Sequence, residues 1–155
     1  MKIEFIKVDD NEEKSNLCRK VLDDLPLWFG IPESNDEYCK GVKKHKLIKI
    51  CYDNEDIGFA SIKINNELVA EIYVMGILTK YHRNNIGTKL IEYVESDLRK
   101  HGFQYLEVKT LDESKESEEY RRTRLFYEKA GFIPFDVLYN EWGSDNPCLI
   151  MMKKL

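Results

Sequence analysis

Between Val74 and Leu90 an apolar stretch, Val74-Met75-Gly76-Ile77-Leu78, runs into the polar turn Thr79-Lys80-Tyr81-His82-Arg83-Asn84-Asn85. An amphipathic helix starts at once, with Ile86-Gly87-Thr88-Lys89-Leu90. A strand that enters a helix through so short a turn leaves the first N–H groups of the helix without partners and aims them, with the helix dipole, at one point. Such a point receives a phosphate or pyrophosphate. Asn85 suits a backbone at positive φ, which Asn tolerates better than most residues. His82 can donate a hydrogen bond, with a charge that varies with pH, while Arg83 and Lys89 add cationic side chains.

A second stretch carries a phenol. In Tyr120-Arg121-Arg122-Thr123-Arg124-Leu125-Phe126-Tyr127-Glu128-Lys129-Ala130-Gly131-Phe132, Gly131 reads as a helix stop, and Leu125, Phe126 and Ala130 read as a buried face. Packing leaves Tyr127 unexplained. A third group is a carboxylate: alternation along Leu68 to Ile77 places Glu71, Tyr73, Met75 and Ile77 on one face of a strand.

The turn resembles the pyrophosphate loop of the GNAT family of N-acetyltransferases, whose pattern is Gln or Arg, two variable residues, Gly, one variable residue, then Gly or Ala. Here the six positions read His82, Arg83, Asn84, Asn85, Ile86 and Gly87, so the last matches and the first and fourth depart. Phe126-Tyr127-Glu128-Lys129, then Gly131-Phe132, is similar to the family's later motif.

This resemblance implies acetyl-CoA (coenzyme A) as co-substrate and no metal. It implies that His82, Arg83, Asn84, Asn85, Ile86, Gly87 and Thr88 bind the pyrophosphate. The backbone of Met75, Gly76 and Ile77 would hold the pantetheine arm and the thioester oxygen. Tyr127 would stand beside the sulfur and protonate the departing thiolate. Ala70-Glu71 resembles the histone-acetylating branch, in which a glutamate deprotonates the amine through water, and this implies Glu71 as base. Glu71 and Met75 are about 13 Å apart along an extended strand, so a water relay is required.

Family members usually carry Asn seven residues before the tyrosine, where this chain has Tyr120, so that contact to the pantetheine arm does not carry over. The acceptor walls implied are Trp28, Phe29, Tyr73 and Trp142. The acceptor would be a primary amine of a small molecule or peptide, attacking the thioester directly in a ternary complex. Dimers are frequent in the family, which makes the closing hairpin a candidate contact in a homodimer. A non-catalytic acyl-CoA-binding sensor is the alternative; it would keep the loop and dispense with Tyr127. A P-loop nucleotide binder is excluded, because no Gly-Lys-Ser or Gly-Lys-Thr follows the turn.

Composition sets the frame around these groups. The 155 residues, 43% of them hydrophobic, suffice for one N-acetyltransferase domain, 1–155, that buries about 70% of its unfolded surface. A net charge of −4 argues against a partner bound through nucleic-acid phosphates. The start, Met1-Lys2-Ile3-Glu4-Phe5, alternates like a strand, and no run approaches the ~18 apolar residues of a membrane span, so a soluble, cytoplasmic protein is expected. Cys18, Cys39, Cys51 and Cys148 lack CxxC spacing and read as reduced, buried thiols. With His45, His82 and His101 equally scattered, no zinc site is expected.

The elements that must position these groups follow from pattern. A strand at Ile3 to Val8 precedes helices at about Lys14 to Leu25 and Glu33 to Lys44, with Pro32 in the first turn of the second. Strands Leu47 to Tyr52, Ile57 to Ile64 and Leu68 to Ile77 form an antiparallel meander, the first two joined by Asp53-Asn54-Glu55-Asp56. A helix from Asn85 to Lys100 and a strand from Gln104 to Leu111 complete a right-handed crossover whose strands lie parallel. An acidic loop, Asp112 to Glu118, leads to the helix bearing Tyr127. Strand Phe132 to Tyr139, a turn at Trp142 to Pro147 and strand Cys148 to Lys153 close the chain. The fold class is thus mixed α/β. This order matches the GNAT acyl-CoA N-acyltransferase fold: a mostly antiparallel central sheet with one parallel, splayed strand pair and about four flanking helices.

Overall fold

A computed structural model describes residues 2–155. The elements run β1 (Ile3–Val8), α1 (Asn11–Asp23), α2 (Pro32–Gly41), β2 (Lys46–Tyr52), β3 (Glu55–Ile64), β4 (Val69–Ile77), α3 (Ile86–Lys100), β5 (Tyr105–Leu111), α4 (Glu118–Lys129), β6 (Ile133–Leu138) and β7 (Cys148–Lys154). They follow the expected order. One sheet contains all seven strands in the order β1-β2-β3-β4-β5-β7-β6. Every neighbouring pair is antiparallel except β4 with β5. The closing hairpin reverses on itself, so that β7 fills the slot beside β5 and leaves β6 at the edge.

Local chemistry explains the boundaries. Asp10 caps α1, its carboxylate accepting from Glu13 N at 2.8 Å, and Ser117 caps α4 by accepting from Tyr120 N at 3.3 Å. Asp53 and Asn54 hold φ of 50° and 62°, the two left-handed residues of a tight hairpin, so Glu55 and Asp56 join β3 rather than the turn. α3 buries Ile86, Leu90, Ile91, Val94 and Leu98, each side chain contributing about 1.5–3 kcal/mol. On the other face of the sheet, α1 lies against β4 at Gly76, where a Cβ would stand 2.8 Å from the Val21 side chain.

Two expectations fail for identifiable reasons. The buried face of α4 is not Leu125, Phe126 and Ala130: Leu125 is 41% exposed, Phe126 and Ala130 are half-buried, and Tyr127 is the buried residue. Thr123, Phe126, Tyr127 and Ala130 share the inward face at i, i+3, i+4 and i+7, and Leu125 falls outside that arc.

Nor do Glu71, Tyr73, Met75 and Ile77 share one face. Ile72 pairs with Ile62 while Val74 pairs with Ser61, so Tyr73 is an extra residue, a bulge that inverts the alternation. Met75 and Ile77, opposite Ala60 and Gly58, therefore lie with Ile72 on the α3 side. Glu71, opposite Lys63, lies with Gly76 on the α1 side.

The core runs continuously from Val8 to Met151, with Phe59, Leu22, Leu47, Ile50, Leu90 and Leu106 fully buried. Cys18, Cys39 and Cys148 are buried and Cys51 half-buried, all as free thiols. Among the described residues, no helix is long and apolar enough to cross a membrane, and no group of three or more His, Cys, Asp or Glu could hold a metal ion.

Candidate active site

The turn before α3 is held open by its neighbours. Asp24 anchors its start, accepting from Thr79 N at 2.7 Å, and Glu55 accepts from Tyr81 Oη at 2.8 Å while pairing with Lys80 at 3.1 Å. Asn84 Nδ2 donates to Tyr81 O and His82 O. Asn85 takes φ 60° and ψ 17° as expected, and Arg83, which sequence gave no reason to single out for this, takes φ 67°.

α3 starts from Asn85 with no side-chain cap and no acidic residue in its first turn. Its first internal bond is Lys89 N to Asn85 O, so the N–H groups of Ile86, Gly87 and Thr88 have no helical partner. Arg83, Asn84, Asn85 and Lys89 are exposed around them. An anion placed there meets fixed donors, the helix dipole and two cations.

His82 lies elsewhere than the resemblance implies. Its Nε2 sits 2.7 Å from Ile77 O, and since a carbonyl only accepts, Nε2 carries the hydrogen. A neutral His82 ring then offers its other nitrogen as an acceptor, not as a donor to an anion. The ring stands edge-on to Trp28 at 5.8 Å.

Beside this helix end the sheet opens. β4 and β5 pair from Val69–Tyr105 to Ile72–Val108 and no farther, so they separate at the Tyr73 bulge. Leu78 N donates to Ile57 O, which sets the phase along β4: the backbone groups of Gly76 and Leu78 turn toward β3, and those of Met75 and Ile77 turn into the opening. Of the three residues expected to offer backbone there, Met75 and Ile77 do so, and Ile77 O is taken by His82. Gly76 instead pairs with Phe59 and makes room for α1.

α4 forms the far bank of the opening. Arg124 Nη1 donates to Leu111 O at 2.7 Å on the free stretch of β5, and the Phe126 ring lies 3.1 Å from where a Gly87 Cβ would be. That contact sets the Tyr127 turn of α4 beside the first turn of α3. Tyr127 itself is 6% exposed, with its ring against Phe126 and edge-on to Phe132. Burial pushes its phenol well above the usual tyrosine range, and the neighbouring Tyr120 and Tyr38 hydroxyls add to the shift. The group stays protonated at any physiological pH.

Tyr120 donates from its hydroxyl to Trp28 O at 2.7 Å, and Trp28 Nε1 reaches Thr123 Oγ1 at 3.2 Å and Glu119 O at 3.3 Å. The segment after α1 is thereby tied to α4 across the opening. Burial pushes the Tyr120 phenol up to about 12.

Glu71 is 5% exposed and sits two residues short of the bulge, about 7 Å along β4 from where the strands part. Its cross-strand partner is Glu107. Asn65 Nδ2 donates to Glu107 Oε2 at 3.1 Å and to Glu71 Oε1 at 3.3 Å. Lys109 Nζ stands 3.7 Å from Glu71 Oε2 and 3.6 Å from Glu141 Oε1. Burial, a hydrogen bond to the Glu71 carboxyl and its charge push Glu107 up to about 6, against the pull of Lys109 and Asn65. Burial opposes the charge on Lys109, but Glu71, Glu141 and Glu107 outweigh it and raise its pKa.

Among the proposed walls, Tyr73 packs edge-on to Tyr38 at 5.5 Å and on His45 at 4.7 Å, and Phe29 continues the row from Tyr38 at 6.0 Å. Trp142 is 36% exposed beside Glu141. Trp28 belongs with α4 and His82 rather than with this row. Sequence reasoning missed Glu107, Lys109, Asn65 and Tyr38. A signal existed for two of them: Glu107 and Lys109 alternate in a strand with the buried Leu106, Val108 and Thr110.

The sequence model of the Acetyltransferase (GNAT) family matches residues 15–132. A protein from Desulfovibrio desulfuricans assigned to the GNAT family has a similar structure, with a TM-score of 0.83 at 19% identity over 99% of each chain. A GNAT acetyltransferase from Elizabethkingia anophelis, solved with acetyl-CoA bound, gives 0.74 at 16% over 99% of this chain and 98% of its own. The aminoglycoside 6′-N-acetyltransferase of Enterococcus faecium gives 0.73 at 19% over 99% and 97%. Among curated proteins, no sequence matches the chain.

Proposed function

The chain belongs to the acetyltransferase (GNAT) family, and we propose that residues 1–155 act as one domain that transfers acetyl from acetyl-CoA to a primary amine of a small molecule or peptide. The observation that supports this reading is the opening between β4 and β5, with the uncapped start of α3 on one bank and α4, the helix that bears Tyr127, on the other. In the proposed complex the N–H groups of Ile86, Gly87 and Thr88, with Arg83, Asn84 and Asn85, hold the pyrophosphate of coenzyme A. The pantetheine arm runs along the free backbone groups of Met75 and the N–H of Ile77 as a missing strand would. No metal takes part in the proposal.

The acceptor enters from the side of Glu71, Tyr73 and Phe29, with Trp142 at the rim and Trp28 as the partition toward α4. Glu71 takes a proton from the ammonium through water, and the free amine attacks the thioester carbon. The backbone N–H of Met75 or Ile77 steadies the oxyanion, an interaction commonly worth about 3–4 kcal/mol per donor. When the C–S bond breaks, the Tyr127 hydroxyl gives its proton to sulfur, and the surplus proton on the cationic nitrogen of the tetrahedral intermediate restores the phenol as that nitrogen becomes an amide. Exposed Ile133, Phe135 and Tyr139 on the closing hairpin supply the face on which two copies would pair.

Calorimetry with acetyl-CoA, followed by thiol release over a panel of primary amines, tests the reading. Saturable binding with amine-dependent thiol release is expected. Binding with no release on any amine would favour an acyl-CoA sensor.

A further inference from the structure

Glu71 and Glu107 face each other in the last register pairs before β4 and β5 separate. Two carboxyls at directly opposed positions of adjacent strands repel unless they share a proton or a cation lies between them. A donor and a cation are both at hand. Asn65 Nδ2 donates to each carboxyl, and Lys109 Nζ stands 3.7 Å from Glu71 Oε2. Lys63 flanks Glu71 from β3, Glu141 reaches Lys109 from the connection before β7, and Tyr73, His45 and Cys148 complete the titratable groups around the pair.

We propose that Glu107 is a positioning residue for the acetyl-transfer base: it holds Glu71 in a pair of carboxyls, and the proton taken from the acceptor comes to rest between the two. The inference rests on the reading of Glu71 as base. A lone exposed glutamate, with its pKa near 4.3, holds a proton too weakly to accept one efficiently near neutrality. The pair holds it more tightly, because protonation relieves the repulsion and makes a hydrogen bond. The rise of Glu107 to about 6 agrees with this. At pH 7.5, above its value of about 6, Glu107 is ionised, and Lys109 stands 3.7 Å from Glu71. The acceptor N–H bond breaks, its proton joins the two carboxyls through water, and the nitrogen lone pair forms the C–N bond. After product leaves, the proton passes to solvent and the pair is restored.

The test is the pH profile of kcat/KM together with a carbon-13 titration of the glutamate carboxyls in the free protein. For the wild type, the acid limb should lie near pH 6. In Glu107→Gln it should move down toward the lone-carboxyl range, raising activity at pH 5.5, relative to each enzyme's plateau, about fourfold, while the plateau falls. Lys109→Met should move the limb up. A structural role alone would lower the plateau and leave the limb in place, and that result would overturn the proposal. The titration needs no turnover: Glu107 should titrate near 6 in the wild type and lower in Glu71→Gln, whereas an ordinary Glu107 titration would overturn the pair. If the pair titrates as expected but no amine is acetylated, the functional reading fails and the pairing stands.

Discussion

Replacing Tyr127 with Phe separates catalysis from packing more cleanly than any other change in this chain. The ring contacts with Phe126 and Phe132 survive the substitution, and only the hydroxyl is lost. Deleting one hydroxyl alters stability by about 1 kcal/mol or less. By contrast, Tyr127→Ala would open a cavity in the core at a cost of about 3–5 kcal/mol. A positioned general acid contributes about 10²–10⁴ in rate, or about 2.7–5.4 kcal/mol of barrier. Burial raises the Tyr127 pKa, so the acid form persists as pH rises and no basic limb below about pH 10 should arise from this group.

Thiol release under saturating acetyl-CoA and amine measures the effect. Tyr127→Phe should cut kcat at least about 100-fold, with the KM for acetyl-CoA within about threefold of wild type. Turnover within a factor of about two of wild type would remove the phenol from the mechanism and refute the placement of sulfur beside α4.

Other perturbations probe the supporting geometry. Asn85→Gly should leave stability and acetyl-CoA affinity unchanged or slightly raised, because the site already has φ 60°, while Asn85→Ala should lower thermal stability by about 1 kcal/mol. In Gly87→Val the added carbons would crowd the Phe126 ring, already 3.1 Å from a Cβ at that site, and should destabilise by about 1–3 kcal/mol in chemical denaturation and weaken acetyl-CoA binding. Trp28→Phe removes the indole N–H that reaches Thr123 and Glu119, so hydrogen exchange in the segment after α1 should quicken, with a loss of about 1 kcal/mol. The raised Glu107 carboxyl works in the opposite sense to a salt-bridged one. Between its unfolded pKa and about 6 the folded state holds more protons, so its contribution is full at low pH and is lost as pH rises through 6. Glu107→Gln should therefore raise the melting temperature more at pH 8 than at pH 5.

The long-range order of the fold was legible because α3 announces itself through Ile86, Leu90, Ile91, Val94 and Leu98, and the turns through Asp53-Asn54, Gly102 and Gly131. The left-handed turn at Asn85 was legible from its side chain. The family resemblance implies a bulge in this strand, but its position at Tyr73 was not legible, since β4 is largely apolar on both faces and a period of two then carries no phase to lose. The tie from Tyr120 to Trp28 joins residues 92 apart, and local pattern says nothing of it. Glu107 escaped notice for the same reason: its meeting with Glu71 depends on the register of two parallel strands separated by a whole crossover. The exposure of Leu125 follows from which side of α4 meets the sheet, a choice made by tertiary packing.

In the proposed complex the first amides of α3 hold the diphosphate of coenzyme A. Titrating coenzyme A into isotope-labelled protein and following backbone amide shifts tests this contact. The N–H groups of Asn85, Ile86, Gly87 and Thr88 should move farthest and downfield, saturating together. Saturable binding that leaves those four amides in place and shifts residues elsewhere would contradict it.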